Sequence, residues 1–517
     1  MAAEAVIADT TYGKLSGLRD EGVCVFKGIP YGAPTGGTNR FRPPARPLPW
    51  KGLRAAGDYG KACVQNLTSS LLGPLTRQVY ADLLVTDTTG TEQSEDCLVL
   101  NVWTPETGDR VRRPVMVWFH GGFFTQGSGS SAIYNGARLC SRGDVVIVTV
   151  NHRLNVFGYL HLADIDARFE QSGNAGMLDL MAALEWVRDN IANFGGDPGN
   201  VTIFGESGGG AKVSTLLAMP RAKGLFHKAI IQSGASIKAN DAASATALAH
   251  LLLAELNLSP ARVAELQTID PNVLLKASLA AEANTGKLML DGSFGSWAPL
   301  VDGVSLPHDP FHPGAPVESA HVPIMVGTMK DETIMALLGM PGFMNLTEEQ
   351  MRAMLAPILG ARADAAISLA QRLYPGESFA YLTANLLTDF LARTPASVVA
   401  ERKAAEGAAP AFLYVVTWET PVAGGVLRSM HALDLPLMFD NTAKVPSMVG
   451  TGPEPVELAE KMSTTWLAFA RNSVPDNPAI PHWPAYAPDR RATMVFDIPC
   501  RVVDDYAGEA RRFWQVN

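Results

Sequence analysis

Cysteine is scarce in this chain of 517 residues, and its scarcity narrows the class of protein that the chain can be. The five cysteines form an odd, widely spaced set, which excludes a small scaffold held together by disulfides. Charged residues are also few, at 18%, while apolar residues reach 47%. This balance is typical of a globular protein and excludes a disordered one.

Long apolar runs, basic runs and a leader segment are missing as well. No uninterrupted apolar stretch approaches the roughly 20 residues of a membrane helix, so we expect no membrane span. The net charge is −9 and no basic stripe occurs, so no nucleic-acid partner is expected. The N-terminus lacks the pattern of a signal peptide. We therefore expect either a cytoplasmic protein or a secreted or periplasmic one whose signal has been removed. Nothing in the sequence indicates an oligomeric state.

One stretch predicts a nucleophile held on a sharp turn. Residues 201–210 read Val-Thr-Ile-Phe-Gly-Glu-Ser-Gly-Gly-Gly, and a helix-compatible run follows to residue 218. The apolar start predicts a buried strand, so Ser207 lies where a strand turns into a helix, as in a nucleophile elbow. The bare pattern G-x-S-x-G is weak, but the flanking strand and helix strengthen it.

Strands alternate with helices along the rest of the chain. Residues 5–30 predict short antiparallel strands. Short β-branched or aromatic runs predict buried strands at 97–103, 114–119, 144–150, 228–233, 322–327, 412–417 and 493–496. Helical spacing recurs at 177–193 and 455–471. The alternation predicts a doubly wound α/β sheet in one domain over 1–517. Two helical stretches, roughly 238–320 and 335–410, are interpreted as insertions over the active site.

A serine nucleophile needs a base and a carboxylate that orients the base. Hydrolases with such an elbow order these residues as serine, acid and histidine. His431 lies in a loop after the strand at 412–417, the expected place, although it would also fit as an ordinary surface-loop histidine. Glu332 directly follows the strand at 322–327, but Asp331 competes with it, and spacing alone does not separate the two.

Donors for the oxyanion are expected from two backbone segments. One is the residue after the nucleophile, Gly208. The other is the loop at 120–124, His-Gly-Gly-Phe-Phe, which follows a predicted strand and would otherwise be a simple turn. No metal or cofactor is expected, because His308 and His312 lie in a proline-containing loop without the H-E-x-x-H pattern.

Two longer blocks carry a resemblance to a known family. Residues 94–105 (Ser-Glu-Asp-Cys-Leu-Val-Leu-Asn-Val-Trp-Thr-Pro) and 194–209 resemble the type-B carboxylesterases, which include cholinesterases, liver carboxylesterases and bacterial p-nitrobenzyl esterases. The last group is the most similar in character. The resemblance implies an α/β-hydrolase fold, with a mixed, mostly parallel sheet between helices. It also implies a serine hydrolase that cleaves carboxylic esters through an acyl-enzyme.

The resemblance also assigns roles to individual residues. It implies Ser207 as nucleophile, Glu332 as the acid and His431 as the base, with an oxyanion hole at the backbone of Gly122, Phe123 and Gly208. Two structural ion pairs, Arg40 with Glu95 and Arg153 with Asp179, are expected. A disulfide between Cys63 and Cys97 is possible and would indicate an oxidising compartment. Glu206 would lie buried beside the serine, either tuning the histidine or serving as a structural hydrogen-bond acceptor.

The sequence departs from the family pattern in four places. Thr333 follows Glu332 where glycine is usual. Phe123 stands where glycine or alanine is usual, so its ring is expected in or beside the acyl pocket. Residues 207–209 read Ser-Gly-Gly where Ser-Ala-Gly is commoner. The loop at 64–96 lacks a tryptophan, which excludes a choline ester substrate.

The natural substrate stays open. The same machinery would also act on amides or carbamates, and bacterial relatives with detoxifying roles include esterases that act on mycotoxins. A non-catalytic binding protein on the same fold is a remote alternative, because all three triad positions are filled.

Overall fold

The computed structural model describes residues 4–66, 74–79, 92–109, 111–285 and 294–515. The strands are β1 (Ala5–Thr10), β2 (Gly13–Asp20), β3 (Val23–Pro30), β4 (Leu53–Ala55), β5 (Val99–Thr104), β6 (Arg113–Phe119), β7 (Val146–Val150), β8 (Gly196–Glu206), β9 (Lys228–Gln232), β10 (Asn240–Asp241), β11 (Leu300–Val301), β12 (Ile324–Met329), β13 (Ala411–Val416), β14 (Ala492–Phe496) and β15 (Arg501–Asp504).

The α-helices lie mostly between the strands. They are α1 (Pro74–Val79), α2 (Ala137–Gly143), α3 (Asn155–Tyr159), α4 (Ala175–Asn190), α5 (Gly208–Leu217), α6 (Ala242–Glu255), α7 (Pro271–Ala283), α8 (Ile334–Leu337), α9 (Glu348–Leu359), α10 (Ala363–Leu373), α11 (Phe379–Thr388), α12 (Thr394–Glu406), α13 (Asp434–Met438), α14 (Pro446–Val449), α15 (Pro453–Asn472) and α16 (Gly508–Gln515).

One large sheet organises the structure. Its strands follow the order β1-β2-β3-β5-β7-β6-β8-β9-β12-β13-β14-β15, with β4 paired to β2. The central strands, from β7 through β14 in that order, run parallel. Both ends are antiparallel, as expected for residues 5–30. The predicted mixed, mostly parallel sheet is therefore confirmed.

Alternation along β6 shows why helices cover both faces of the sheet. Val115, Val117 and Phe119 face one hydrophobic core, while Met116 and Trp118 face a second. Successive side chains of a strand point to opposite faces, so a strand that is apolar at every position must be covered on both. Helix α4 contributes to the first core and helix α15 to the second.

Helices occupy the two stretches interpreted as insertions. Helices α6 and α7 lie within 238–320, and α8 to α12 begin within 335–410 or just before it. Aspartates at 241 and 270 cap α6 and α7, and a capping box at Thr347 opens α9. The single domain and the insertion boundaries stay predictions. The polar loop at 64–94 contains helix α1, and much of it lies outside the described residues.

A methionine-rich segment lies on both sides of Glu332. Met325, Met329 and Phe343 are buried in the second core. Met340, by contrast, is 44% exposed. Most of the segment therefore packs within the protein, as an irregular apolar filler.

One helical stretch meets the length and hydropathy of a membrane helix. Residues Glu348–Leu373 span 26 residues, and 39% of the apolar window is buried. A proline at 357 and a short 3-10 turn at Gly360–Arg362 interrupt this stretch. A core helix of a water-soluble protein passes the same test, so the absence of a membrane span stays a prediction.

Candidate active site

Ser207 lies at the corner between β8 and α5. Its backbone adopts φ 56° and ψ −124°, a left-handed conformation that non-glycine residues rarely adopt. The N–H of Ser207 donates to the carbonyl of Gln232 on β9 at 2.8 Å, which holds the strained residue in place. A Cβ at Gly209 would lie 2.0 Å from the carbonyl oxygen of Phe119, so only glycine fits there. This is the geometry of the predicted elbow.

His431 and Glu332 meet beside this corner. The Nδ1 atom of His431 lies 2.5 Å from Oε2 of Glu332. The other carboxylate oxygen, Oε1, accepts from the N–H of Met329 at 2.8 Å, which fixes the carboxylate. Glu332 follows β12, His431 follows the adjacent β13, and the histidine side chain is 24% exposed. The structure thus brings the two residues together although 99 positions separate them.

Asp331, the competing acid, turns away from the histidine. It is completely buried, and its Oδ2 atom accepts from the N–H of Ser429 at 3.3 Å. Its own N–H donates to the carbonyl of Ser429 at 3.0 Å. Asp331 therefore ties the loop that carries Glu332 to the loop that carries His431.

A second carboxylate contacts the other side of the imidazole. Oε1 of Glu206, a residue only 3% exposed, lies 3.1 Å from Nε2 of His431. Burial raises the pKa of Glu206 to about 8, while the nearby His431 opposes that shift. Burial alone would lower the pKa of His431, but the carboxylates of Glu206 and Glu332 outweigh it and raise the pKa. The contact favours the interpretation that Glu206 tunes the histidine.

The contact with Glu206 leads to a pH prediction. A protonated imidazole cannot take a proton, so if His431 is the base, as the sequence predicts, activity should rise with pH as its imidazole loses its charge. Replacing Glu206 by glutamine removes a negative charge that stabilises the imidazolium, so the pKa of His431 falls. The rising limb of kcat/KM against pH should therefore move about 1 unit or more toward acid. A Glu457→Gln control, at a surface pair with Lys461, should leave the limb in place. An unmoved or basic-shifted limb in Glu206→Gln would contradict the assignment.

The loop after β6 presents backbone N–H groups near Ser207. A Cβ at Gly121 would lie 3.5 Å from Cβ of Ser207, so the loop and the serine are neighbours. The carbonyl of Gly121 bonds to its neighbour His120 at Nδ1 (2.8 Å), and the carbonyl of Gly122 accepts from the N–H of residue 126 at 3.1 Å. In a trans peptide the N–H points opposite to the C=O, so the N–H groups of Gly122 and Phe123 face away from those partners. Within the described part of the chain, neither N–H has a hydrogen-bond acceptor.

Two of the sequence departures, Phe123 and Gly208, lie against each other. Phe123 adopts φ 55°, and this places its carbonyl against α5. A Cβ at Gly208 would lie 2.0 Å from that carbonyl oxygen, so alanine would not fit at this position. Gly208 also begins α5, where the first N–H groups have no partner within the helix. The position of the Phe123 carbonyl therefore explains the glycine at 208.

Among the expected pairings around the site, both ion pairs are confirmed. Arg40 contacts Glu95 at 2.6 Å through two N–H···O bonds, and Arg153 contacts Asp179 at 2.6 and 2.8 Å.

The five cysteines are buried free thiols. Cys63 lies near enough to Cys97 to raise the pKa of the Cys97 thiol, together with burial. A disulfide between them, and the compartment inferred from it, stay predictions.

Sequence reasoning missed a buried polar network behind the elbow. The side chain of Gln232 donates to Asp434 at 2.7 Å and accepts from the indole of Trp466 at 3.1 Å. Lys212, on α5, is also completely buried. The sequence did contain a signal for this lysine, because it is the one charged residue in the run Gly-Gly-Gly-Ala-Lys-Val-Ser-Thr-Leu-Leu.

Comparisons with known proteins agree with this geometry. The model of the carboxylesterase family matches residues 4–514. The para-nitrobenzyl esterase of Bacillus subtilis (strain 168) is 36% identical over 98% of both chains. The liver carboxylesterase of Sus scrofa is 32% identical over 99% of this chain and 93% of its own. A crystal structure of a carboxylesterase from Geobacillus stearothermophilus is 36% identical and aligns with a TM-score of 0.84, over 98% of this chain and 100% of its own. The expected α/β-hydrolase fold is therefore confirmed.

Proposed function

The chain belongs to the carboxylesterase family and is a carboxylic-ester hydrolase, and we propose that it works through an acyl-enzyme on Ser207. The observation that carries the proposal is the 2.5 Å contact between His431 and Glu332 beside the strained serine. An imidazole oriented by a carboxylate at Nδ1 presents Nε2 as a base, which is what a serine hydroxyl requires.

Ser207, His431 and Glu332 have distinct roles in the proposed reaction. Ser207 attacks the ester carbonyl while Nε2 of His431 takes its proton. His431 then gives that proton to the departing alcohol, and Glu332 stabilises the charged imidazole throughout. Water then gives a proton to the same histidine and attacks the acyl carbonyl. The bond between the acyl group and Ser207 breaks, the acid leaves, and His431 returns the proton to the serine oxygen.

The oxyanion is proposed to bind to the backbone N–H groups of Gly122, Phe123 and Gly208. The backbone around these donors is held in place. The carbonyls of Gly121 and Gly122 have hydrogen-bond partners, and Gly208 is the first residue of helix α5. Removing one such donor typically costs about 3–4 kcal/mol in the transition state.

In the enzyme before the reaction starts, Glu206 contacts Nε2 of His431. The same nitrogen must serve Ser207, the next residue along the chain. We propose that the imidazole exchanges Glu206 for the serine hydroxyl as it loses its charge, and that Glu206 stays close enough for its negative charge to act on the imidazole during the reaction. Glu206 would thus stabilise the imidazolium that forms in each half of the reaction.

A substrate panel tests the proposed function. One related protein is named a para-nitrobenzyl esterase, so p-nitrobenzyl esters are the first probes, with matched amides and carbamates of the same acyl group. We expect ester turnover to exceed amide and carbamate turnover, and to disappear in Ser207→Ala. Faster hydrolysis of the amide or the carbamate would replace the proposed substrate class. Turnover that survives in Ser207→Ala would overturn the proposed mechanism.

A further inference from the structure

Lys212 is a charged side chain buried directly beneath the proposed oxyanion loop. It lies on α5, five residues after the nucleophile, and none of it is exposed. Its Nζ atom donates to the carbonyl of His120 at 2.9 Å and to the carbonyl of Phe123 at 2.9 Å. The two acceptors are the first residue of the loop after β6 and the residue that carries one proposed oxyanion donor.

These two bonds complete the anchoring of the loop. The carbonyls of Gly121 and Gly122 already have partners within the loop itself. Lys212 supplies the partners for the carbonyls on either side, at 120 and 123. With all four carbonyls held, the intervening peptide planes have little freedom to rotate, and the N–H groups between them keep their direction.

The conformation at Phe123 makes such an anchor necessary. A phenylalanine at φ 55° is strained, and a residue of this kind persists only where its surroundings hold it. The glycine at 208 leaves room for the carbonyl of Phe123, but glycine has no side chain that could bond to that carbonyl. The ammonium of Lys212 does bond to it, through a charge-assisted hydrogen bond.

The buried surroundings of Lys212 disfavour a positive charge on its side chain. Burial lowers the pKa of Lys212 to about 7, and the carboxylate of Glu206 opposes that shift. The ring of Phe124 lies 5.2 Å from Nζ. The imidazoles of His120 and His152 stack nearby, and Lys212 is one of the groups that lower the pKa of both. No carboxylate forms a direct salt bridge with Lys212 in the described part of the chain.

We propose that Lys212 is a positioning residue that holds the loop at 120–123 so that its N–H groups face the oxyanion. The proposal rests on the proposed function, since it assigns a purpose to the same loop. Lys212 does not touch the substrate. It acts through the backbone of His120 and Phe123.

Lys403 provides a matched comparison within the same chain. It is 2% exposed, and its Nζ atom donates to the backbone carbonyls of Ser319 and Ala320 and to Glu406. It thus makes the same kind of bonds on α12, away from Ser207 in sequence and bonded to none of the site residues. A purely structural role for a buried lysine would make the two residues behave alike.

The test compares esters with thionoesters, in which sulfur replaces the carbonyl oxygen. Sulfur is the weaker hydrogen-bond acceptor, so thionoester turnover depends less on the backbone donors. In Lys212→Met, which keeps the length of the side chain, we expect kcat for the ester to fall about 10- to 100-fold, because small displacements at a reacting centre have effects of this size. We expect the ratio of ester to thionoester turnover to fall by about tenfold. Lys403→Met should leave both quantities unchanged.

The outcomes separate the two proposals. If the ester and thionoester rates fall together, or neither falls, Lys212 has no role in positioning the loop. If Lys212→Met does not fold, as judged by its melting temperature and circular dichroism, the same ratio is measured in Lys212→Leu, whose smaller side chain also lacks a hydrogen-bond donor. An unchanged ratio there would equally overturn the inference. Wild-type turnover that does not depend on Ser207 would instead overturn the proposed function itself.

Discussion

Replacing Ser207 by alanine should lower kcat for ester hydrolysis by about four to six orders of magnitude, because the attacking atom is removed. The alanine variant should keep its melting temperature, since the serine hydroxyl contributes little to packing at a position that is 9% exposed. Substrate should still bind, so the loss should appear in kcat and much less in KM. Steady-state kinetics on a p-nitrophenyl ester, with the purified variant free of wild-type enzyme, measures this directly.

Ser214 supplies the control for that experiment. It lies on the same helix, is completely buried, and donates to the carbonyl of Gly210 at 3.1 Å. Ser214→Ala should change kcat by less than about threefold, because its hydroxyl bonds only to backbone. Equal losses in the two variants would show that damage to the elbow, and not loss of the nucleophile, explains the result.

Replacing Glu332 by glutamine should lower kcat by about three to four orders of magnitude. Glutamine keeps the shape of the side chain, but it removes the charge that stabilises the imidazolium. Its amide can also present an N–H to Nδ1 of His431 and so favour the wrong tautomer. The measurement is kcat at a pH above the rising limb, where His431 is neutral in the wild type, so that a simple change in pKa does not imitate the loss.

Asp331→Asn is the matched variant, because it makes the same chemical change one residue earlier. Asparagine keeps an acceptor for the N–H of Ser429, so the loop contact survives. We expect kcat to fall less than about tenfold, since Asp331 acts only through that loop. A larger loss in Asp331→Asn than in Glu332→Gln would overturn the choice of acid.

Much of the sheet was predictable from sequence because its centre is apolar at consecutive positions. The runs that become β6, β7 and β13 have no polar face, and a strand of this kind must lie between two covered faces. The elbow was predictable for a related reason, because a serine among glycines, between a predicted strand and a predicted helix, is typical of a nucleophile elbow.

The choice between Asp331 and Glu332 was not predictable from spacing. The two residues are adjacent in a turn, and which of them reaches His431 depends on the direction that the backbone takes after β12. That direction is set by long-range contacts, including the bonds between Asp331 and Ser429. The resemblance to a family suggested Glu332, and the distances agree with that suggestion.

The contacts that anchor the proposed oxyanion loop were not predictable from the sequence, for a different reason. Phe123, Gly208 and Lys212 lie on two segments about 85 residues apart, and nothing in either segment shows that the three residues meet. The unusual φ at Phe123, the close approach at Gly208 and the burial of Lys212 appear only when α5 packs against the loop after β6. The sequence signals were the departures from the family pattern at 123 and 208 and a lone lysine in an apolar helix.

Trapping the covalent intermediate tests the proposed acyl-enzyme mechanism most directly. The enzyme is mixed with a p-nitrophenyl ester, quenched in acid within the first turnover, digested, and analysed by mass spectrometry. The proposed mechanism predicts an acyl group on Ser207, formed with a burst of about one nitrophenolate per active site. Ester turnover with no acyl group on Ser207, or with the acyl group on another residue, would contradict it.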